Sequence, residues 1–147
     1  MFDEKFMKKA IELAKKAKEL DEVPVGAVIV VDGKIVSSAF NKRETKKDAI
    51  AHAEILAISK ACKKLGDFRL VGAEMYVTLE PCVMCTGAIM NARIDNVYFG
   101  ASITNGSISA EEIASKAVLN HKTNFFGGYF AEECSKLVSE YFKSKRK

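Results

Sequence analysis

No stretch of this 147-residue chain approaches the ~20 consecutive apolar residues that a bilayer-crossing helix needs; the longest apolar runs, such as Val25 to Val31, fall far short. Nothing at the start resembles a cleavable signal, because Met1 to Leu20 mixes lysines with apolar residues as a surface helix does. These absences argue against a helical membrane span and lead us to expect a cytoplasmic protein. Repeats, low-complexity tracts and interdomain linkers are missing too. With 48% hydrophobic residues, a chain of this length buries roughly 70% of its unfolded surface in one core, so one domain over residues 1–147 is expected.

Charge of either sign is not in great excess. A net charge of +4 tolerates a polyanionic partner without demanding one, although Lys143, Lys145, Arg146 and Lys147 crowd the C-terminus. Such a cluster is read either as a solvated helix end or as a phosphate contact. Cysteine is limited to four residues, and only Cys82 and Cys85 are neighbours; a core of this size in a reducing compartment needs no disulfide. That C-x-x-C needs another explanation.

Apolar residues at Phe6, Ala10, Leu13, Ala17 and Leu20 recur at helical spacing and predict a first helix ended by Asp21 and Pro24. Val25 to Val31, the turn residues Asp32-Gly33, and Lys34 to Val36 predict an antiparallel hairpin. Asn41 to Asp48 has no apolar period and is expected to be a loop, followed by a helix from about His52 to Leu65 that stops at Gly66. Further on, strands are expected at Glu74 to Leu79 and Asn96 to Phe99, with a helix opening at Pro81 between them. Helices are expected at Ala110 to Leu119 and Ala131 to Phe142, and Phe125 and Phe126 in a short strand. The alternation predicts an α/β sandwich.

Histidine is scarce: only His52 and His121 occur. His52-Ala53-Glu54 opens one predicted helix and Pro81-Cys82-Val-Met-Cys85 opens another, so an imidazole and two thiols all stand at helix starts. There the positive end of the helix dipole favours thiolates, and two cysteines three apart can aim at one point. Three protein ligands for Zn2+ leave a fourth tetrahedral position for water, which zinc acidifies from a pKa of ~15.7 toward ~7. Glu54, two residues past His52, points to another side of the helix and is expected to carry protons rather than bind metal. Either short motif alone is weak, since a C-x-x-C is also a redox pattern and a first-turn Glu also serves the dipole. Their combination is a recognised signature of zinc nucleobase deaminases.

The segments His52-Ala-Glu-Ile55, Tyr76-Val-Thr-Leu-Glu-Pro-Cys-Val-Met-Cys-Thr-Gly-Ala88 and Ala92-Arg-Ile94 resemble the bacterial tRNA-specific adenosine deaminases. The resemblance extends from the first helix through Val25-Gly-Ala-Val28 to Ala131-Glu-Glu-Cys134. It implies a three-layer α/β/α sandwich around a five-stranded mixed sheet, a homodimer, and hydrolytic conversion of adenosine to inosine at the wobble position of a tRNA anticodon loop. It carries zinc ligation to His52, Cys82 and Cys85, proton shuttling to Glu54, and substrate contact to Asn41 and the Ala53 backbone amide. After Phe99-Gly100-Ala101 the chain departs from that pattern. Ser102 to Glu112 looks more like the small-molecule deaminases of the same superfamily, so a free base or nucleoside of guanine, cytosine or adenine type is the alternative substrate. A zinc-stabilised binding module without turnover is a third reading.

Five further residues attract a reading. Cys62 and Cys134 lie on apolar helix faces as expected core residues. His121 is read as a surface or capping residue ahead of an RNA contact. Phe125 and Phe126 are read as one buried and one interfacial ring ahead of base stacking.

Overall fold

The computed structural model describes residues 1–103, 108–117 and 121–145. In chain order the elements are α1 (Glu4–Glu19), β1 (Gly26–Val31), β2 (Lys34–Phe40), α2 (Arg43–Lys46), α3 (Ala53–Leu65), β3 (Ala73–Leu79), α4 (Val83–Asn91), β4 (Asn96–Ala101), α5 (Ala110–Lys116), β5 (Asn124–Phe126) and α6 (Ala131–Lys145). The five strands form one mixed sheet in the order β2-β1-β3-β4-β5. β1 runs antiparallel to both β2 and β3, while β3, β4 and β5 are parallel. The parallel pairs follow from the helices between them, because a strand can return in the same direction only through a crossover.

Alternation along the strands builds two cores, one on each face. Ala27 and Ile29 of β1, with Met75, Val77, Val97 and Phe99, pack beneath Ala53, Ala57 and Ala61 of α3 and Ile89 of α4. Val28 and Val30, with Tyr76 and Tyr98, pack against Phe6, Met7 and Ala10 of α1 and Cys134 and Leu137 of α6. Strand side chains of period two feed opposite faces, so the expected three-layer α/β/α sandwich results. α1 approaches β1 closely enough that a Cβ on Gly26 would lie 2.0 Å from the Ala10 carbonyl oxygen. The hairpin turn has Asp32 at φ 52° and Gly33 at φ 73°, the pair of positive values that a two-residue turn matched to strand twist requires.

The structure corrects several boundaries. β2 continues from Val36 to Phe40. The expected loop Asn41 to Asp48 contains the single helical turn α2. One turn has no apolar repeat to read, and it is held from outside: Asn41 Oδ1 accepts from the Arg43 amide at 3.1 Å, and the buried Glu22 carboxylate accepts from the amides of Glu44 (3.0 Å) and Thr45 (2.6 Å) and from the Thr45 hydroxyl (2.6 Å). α5 ends at Lys116, with Ala117 extended; the expected continuation through Val118 and Leu119 lies outside the described residues. α6 runs past Phe142 to Lys145, whose ammonium pairs with Asp21; Arg146 and Lys147 of the basic cluster lie outside the described residues. Cys134 is buried as expected. Cys62 is only half-buried, its thiol 3.7 Å from the Phe68 carbonyl oxygen at the end of α3.

Glu22 supplies a pH test of this framework. Burial pushes its pKa up, but the hydrogen bonds from Thr45 and the Glu44 and Thr45 amides outweigh burial and hold it below the ordinary carboxylate value. A carboxyl depressed in the folded state adds stability that is fully present above its unfolded pKa of ~4.3 and disappears as pH falls through the folded value. Glu22→Gln is expected to lose about 1–3 kcal/mol at neutral pH, since it retains one acceptor oxygen and leaves an amide donor facing donors. Thermal melts of both proteins from neutral to acidic pH should show the gap narrowing in acid; a gap constant across the range would refute the role of the carboxylate.

Candidate active site

One end of the sheet gathers the candidate metal, proton-transfer and substrate residues His52, Cys82, Cys85, Glu54, Asn41 and Ala53. Because β1 runs against its neighbours, its start lies beside the ends of β2 and β3, and the Gly26 amide donates to Thr78 Oγ1 at 3.2 Å. Val23 and Val25 before β1, Asn41 after β2, Leu79 and Glu80 at the end of β3, and Ile103 after β4 therefore surround one cavity of about 460 Å³. The N-termini of α3 and α4 supply His52, Ala53, Glu54 and Cys82 to it. Ligand sites at the carboxyl ends of parallel strands are the general habit of α/β sheets, since helix N-termini converge there.

His52 is the N-cap of α3 and Cys82 the N-cap of α4, while Cys85 lies fully buried in the first turn of α4. The His52 Nδ1 atom is 3.7 Å from Cys82 Sγ and 3.5 Å from Cys85 Sγ, and the three donor atoms all lie within 4.8 Å of one another. A tetrahedral zinc with Zn–S of about 2.3 Å and Zn–N of about 2.0 Å has edges of roughly 3.5–3.8 Å between its donors, so this triad fits that ion. Among the described residues no fourth His, Cys, Asp or Glu joins the group. A borderline-soft donor set of one imidazole and two sulfurs suits zinc far better than magnesium or calcium.

The neighbouring Cys85, with His52 alongside, holds the Cys82 pKa down to about 4, while Cys82 and burial push Cys85 far up. The hydrogen bond to Cys82 raises the pKa of His52. Glu54 is 4% exposed; burial, with the negative charge of Cys82 nearby, pushes its carboxyl up to about 7. A carboxyl balanced between its two protonation states near neutral pH is suited to taking up a proton and giving it back.

Asn41 lies at the pocket wall, 6% exposed, its Nδ2 donating to the Val23 carbonyl at 3.3 Å as its Oδ1 accepts from Arg43. Ala53, the first residue of α3, lines the same wall and is fully buried. The other lining residues were not singled out as site residues from the sequence: the apolar Val23, Val25 and Leu79, and Arg43, Glu80, Ile103 and Phe142. Glu80 stood inside the quoted Leu79-Glu80-Pro81-Cys82 motif, so an acid beside a metal ligand was a signal available for reading. Phe142 carried none, because it reaches the pocket from the opposite end of the chain.

His121 and the Phe125-Phe126 pair do not line this cavity. The His121 Nε2 atom is 3.1 Å from the Ile94 carbonyl oxygen and 3.3 Å from Asp95, which ties the approach to β5 onto the start of β4. Phe125 packs on the core, and Phe126, 42% exposed on the edge strand, stacks on Tyr98 with ring centroids 5.5 Å apart.

Comparison with known proteins bears on the same residues. The family model described as the cytidine and deoxycytidylate deaminase zinc-binding region matches residues 1–101. The tRNA-specific adenosine deaminase of Bacillus subtilis (strain 168) is 47% identical over 147 residues, covering 99% of this chain and 91% of its own. A solved structure from studies of A-to-I editing by tRNA:A34 deaminases at the wobble position of transfer RNA superposes with a TM-score of 0.87 at 40% identity, covering 92% of this chain and 99% of that one. The guanine deaminase of Bacillus subtilis is similar at 34% identity and a TM-score of 0.68, covering 99% of this chain and 94% of its own. With the family model spanning both halves of the zinc triad, and a relative so similar along its whole length, the chain belongs to the cytidine and deoxycytidylate deaminase family and has its fold.

Proposed function

We propose that this chain hydrolyses adenosine to inosine at the wobble position of a tRNA anticodon, with His52, Cys82 and Cys85 holding zinc and Glu54 moving the protons. The observation that carries this is the convergence of the triad and a buried carboxyl in one base-sized cavity, in a chain whose near-full-length relatives are named tRNA-specific adenosine deaminases. Zinc, when bound, supplies the Lewis acidity that makes water a strong nucleophile at neutral pH.

The remaining work falls to the protein. Val23, Val25, Leu79 and Ile103 give the pocket apolar walls that accept the flat faces of a base extruded from its loop. Asn41 and the Ala53 amide orient its polar edge. Glu54 takes a proton from the attacking water and delivers it to N1 of adenine as the water oxygen bonds to C6. It then carries the second water proton to N6, and the C6–N6 bond breaks to leave the C6 carbonyl of inosine and ammonia. The chain acts as one catalytic domain over residues 1–147, in the cytoplasm and as a homodimer; light scattering in solution checks the assembly.

Purified zinc-loaded protein incubated with an anticodon stem-loop carrying a wobble adenosine should form inosine. The similarity to guanine deaminase favours a second reading, deamination of a free base or nucleoside, and ammonia release across guanine, cytosine, adenine and their nucleosides tests it in parallel. Turnover of the free compounds with none on the stem-loop would replace the first reading by the second.

A further inference from the structure

Glu80 is a second buried carboxylate in the catalytic cavity, and it is placed differently from Glu54. It is 6% exposed, lines the pocket, and stands two residues before the ligand Cys82. Its Oε1 accepts from the Ile103 amide at 3.0 Å and its Oε2 from the Ala110 amide at 2.9 Å. The Glu80 amide in turn donates to the Ala101 carbonyl at 2.8 Å. One side chain thus joins the end of β3 to the residues on which the chain leaves β4 and enters α5. Ile103, held by one of these bonds, is itself a wall of the pocket.

Both partners are donors, and this decides which side chain the position can use. A carboxylate accepts at both oxygens, whereas a carboxamide accepts at one and turns an N–H toward the other donor. Glu80 lies outside the His52-Cys82-Cys85 group, so its two hydrogen bonds, and not metal ligation, define its place in the cavity. We propose that Glu80 is a positioning residue for substrate binding: by pinning Ile103 and Ala110 it fixes the distance of the Ile103 wall from the zinc triad, and so sets the fit of the base in its slot. This rests on the deaminase reading of the cavity. It also gives the segment after Gly100 a specific point of control, since Ile103 is the residue of that segment that lines the cavity among the described residues.

The test is Glu80→Gln in the full-length zinc protein. Removing one of two charge-assisted hydrogen bonds should raise KM for the stem-loop roughly tenfold with kcat within about threefold, because the reacting groups are untouched while the wall that holds the base is displaced. Zinc content should equal wild type. Amide hydrogen exchange at Ile103 and Ala110 should quicken about tenfold with no change at β1 or α3. Loss of zinc, or a fall in kcat at unchanged KM, would overturn the proposal in favour of support for the metal helix. Unaltered exchange at both amides would overturn it as well. If Glu80→Gln fails to fold, Ile103→Ala removes the wall while leaving the pin, and an unchanged KM there is equally fatal. If wild-type protein forms no inosine, the substrate reading fails by itself, and the same KM-against-kcat comparison is made on whichever free base of the panel is deaminated.

Discussion

Glu54→Gln is expected to reduce turnover by about 10²–10⁴-fold while zinc content and melting temperature stay near wild type. The substitution keeps the volume of a side chain that is 4% exposed, so packing at the start of α3 is preserved. What it removes is the acceptance and release of a proton near neutral pH, which a carboxamide cannot perform. Glu54 is not one of the three donors that converge, so the metal should remain. Metal analysis and single-turnover rates on the stem-loop, measured on the same preparation, check both halves. A variant that retains more than a tenth of wild-type turnover would assign the proton transfers elsewhere, and one that loses zinc would make Glu54 a ligand.

Cys85→Ala, and Cys82→Ala beside it, should behave oppositely: zinc falls toward none per chain, turnover goes with it, and the fold weakens. Both thiols converge on the His52 ring at 3.5–3.7 Å, so removing either leaves two donors, too few to hold the ion well. A ligand present at a hundred times its dissociation constant stabilises the native state by about 2.7 kcal/mol, and that contribution vanishes with the site. In a chain of this size it corresponds to a fall in melting temperature of about 5–10 °C. Thermal melts with and without chelator separate the terms. The wild type should lose stability on chelation and the cysteine variants should lose none; a variant that keeps full zinc would mean that a residue other than the triad holds it.

Comparison of these two sites shows why some of the chemistry could be read without coordinates. The metal triad is written locally. His52 and Cys82 both fall at N-caps, where the residue type and the following helical pattern are visible in sequence, and Cys85 follows at one helical turn. The two halves are joined in space by neighbouring strand ends, but each half announces itself. Glu54 was legible for the same reason, being placed by its spacing from His52.

The walls of the cavity were not legible. Phe142 and Val23, far apart in the chain, line the same cavity, and α6, which brings Phe142 there, carries the same amphipathic spacing as any surface helix. The turn α2 has no period and is held by Asn41 just ahead of it and by Glu22 from before β1. His121 and Phe126 attracted attention as chemically capable side chains, yet the parallel pairing of β5 with β4 puts Phe126 on the sheet's edge and His121 beside Ile94, away from the pocket.

By itself, then, the order of residues determined the elements with strong periodicity, the two short motifs that supply the candidate metal triad and the carboxyl of Glu54, and the deaminase family, because each is written within a turn or two of helix or strand. Tertiary structure alone decided how wide the base slot is, that Glu80 holds Ile103 and Ala110, and that a depressed carboxyl at Glu22 props the turn beside Asn41. Those are single hydrogen bonds and packing contacts between segments far apart in the chain, and a contact that occurs once leaves no repeating pattern to be read.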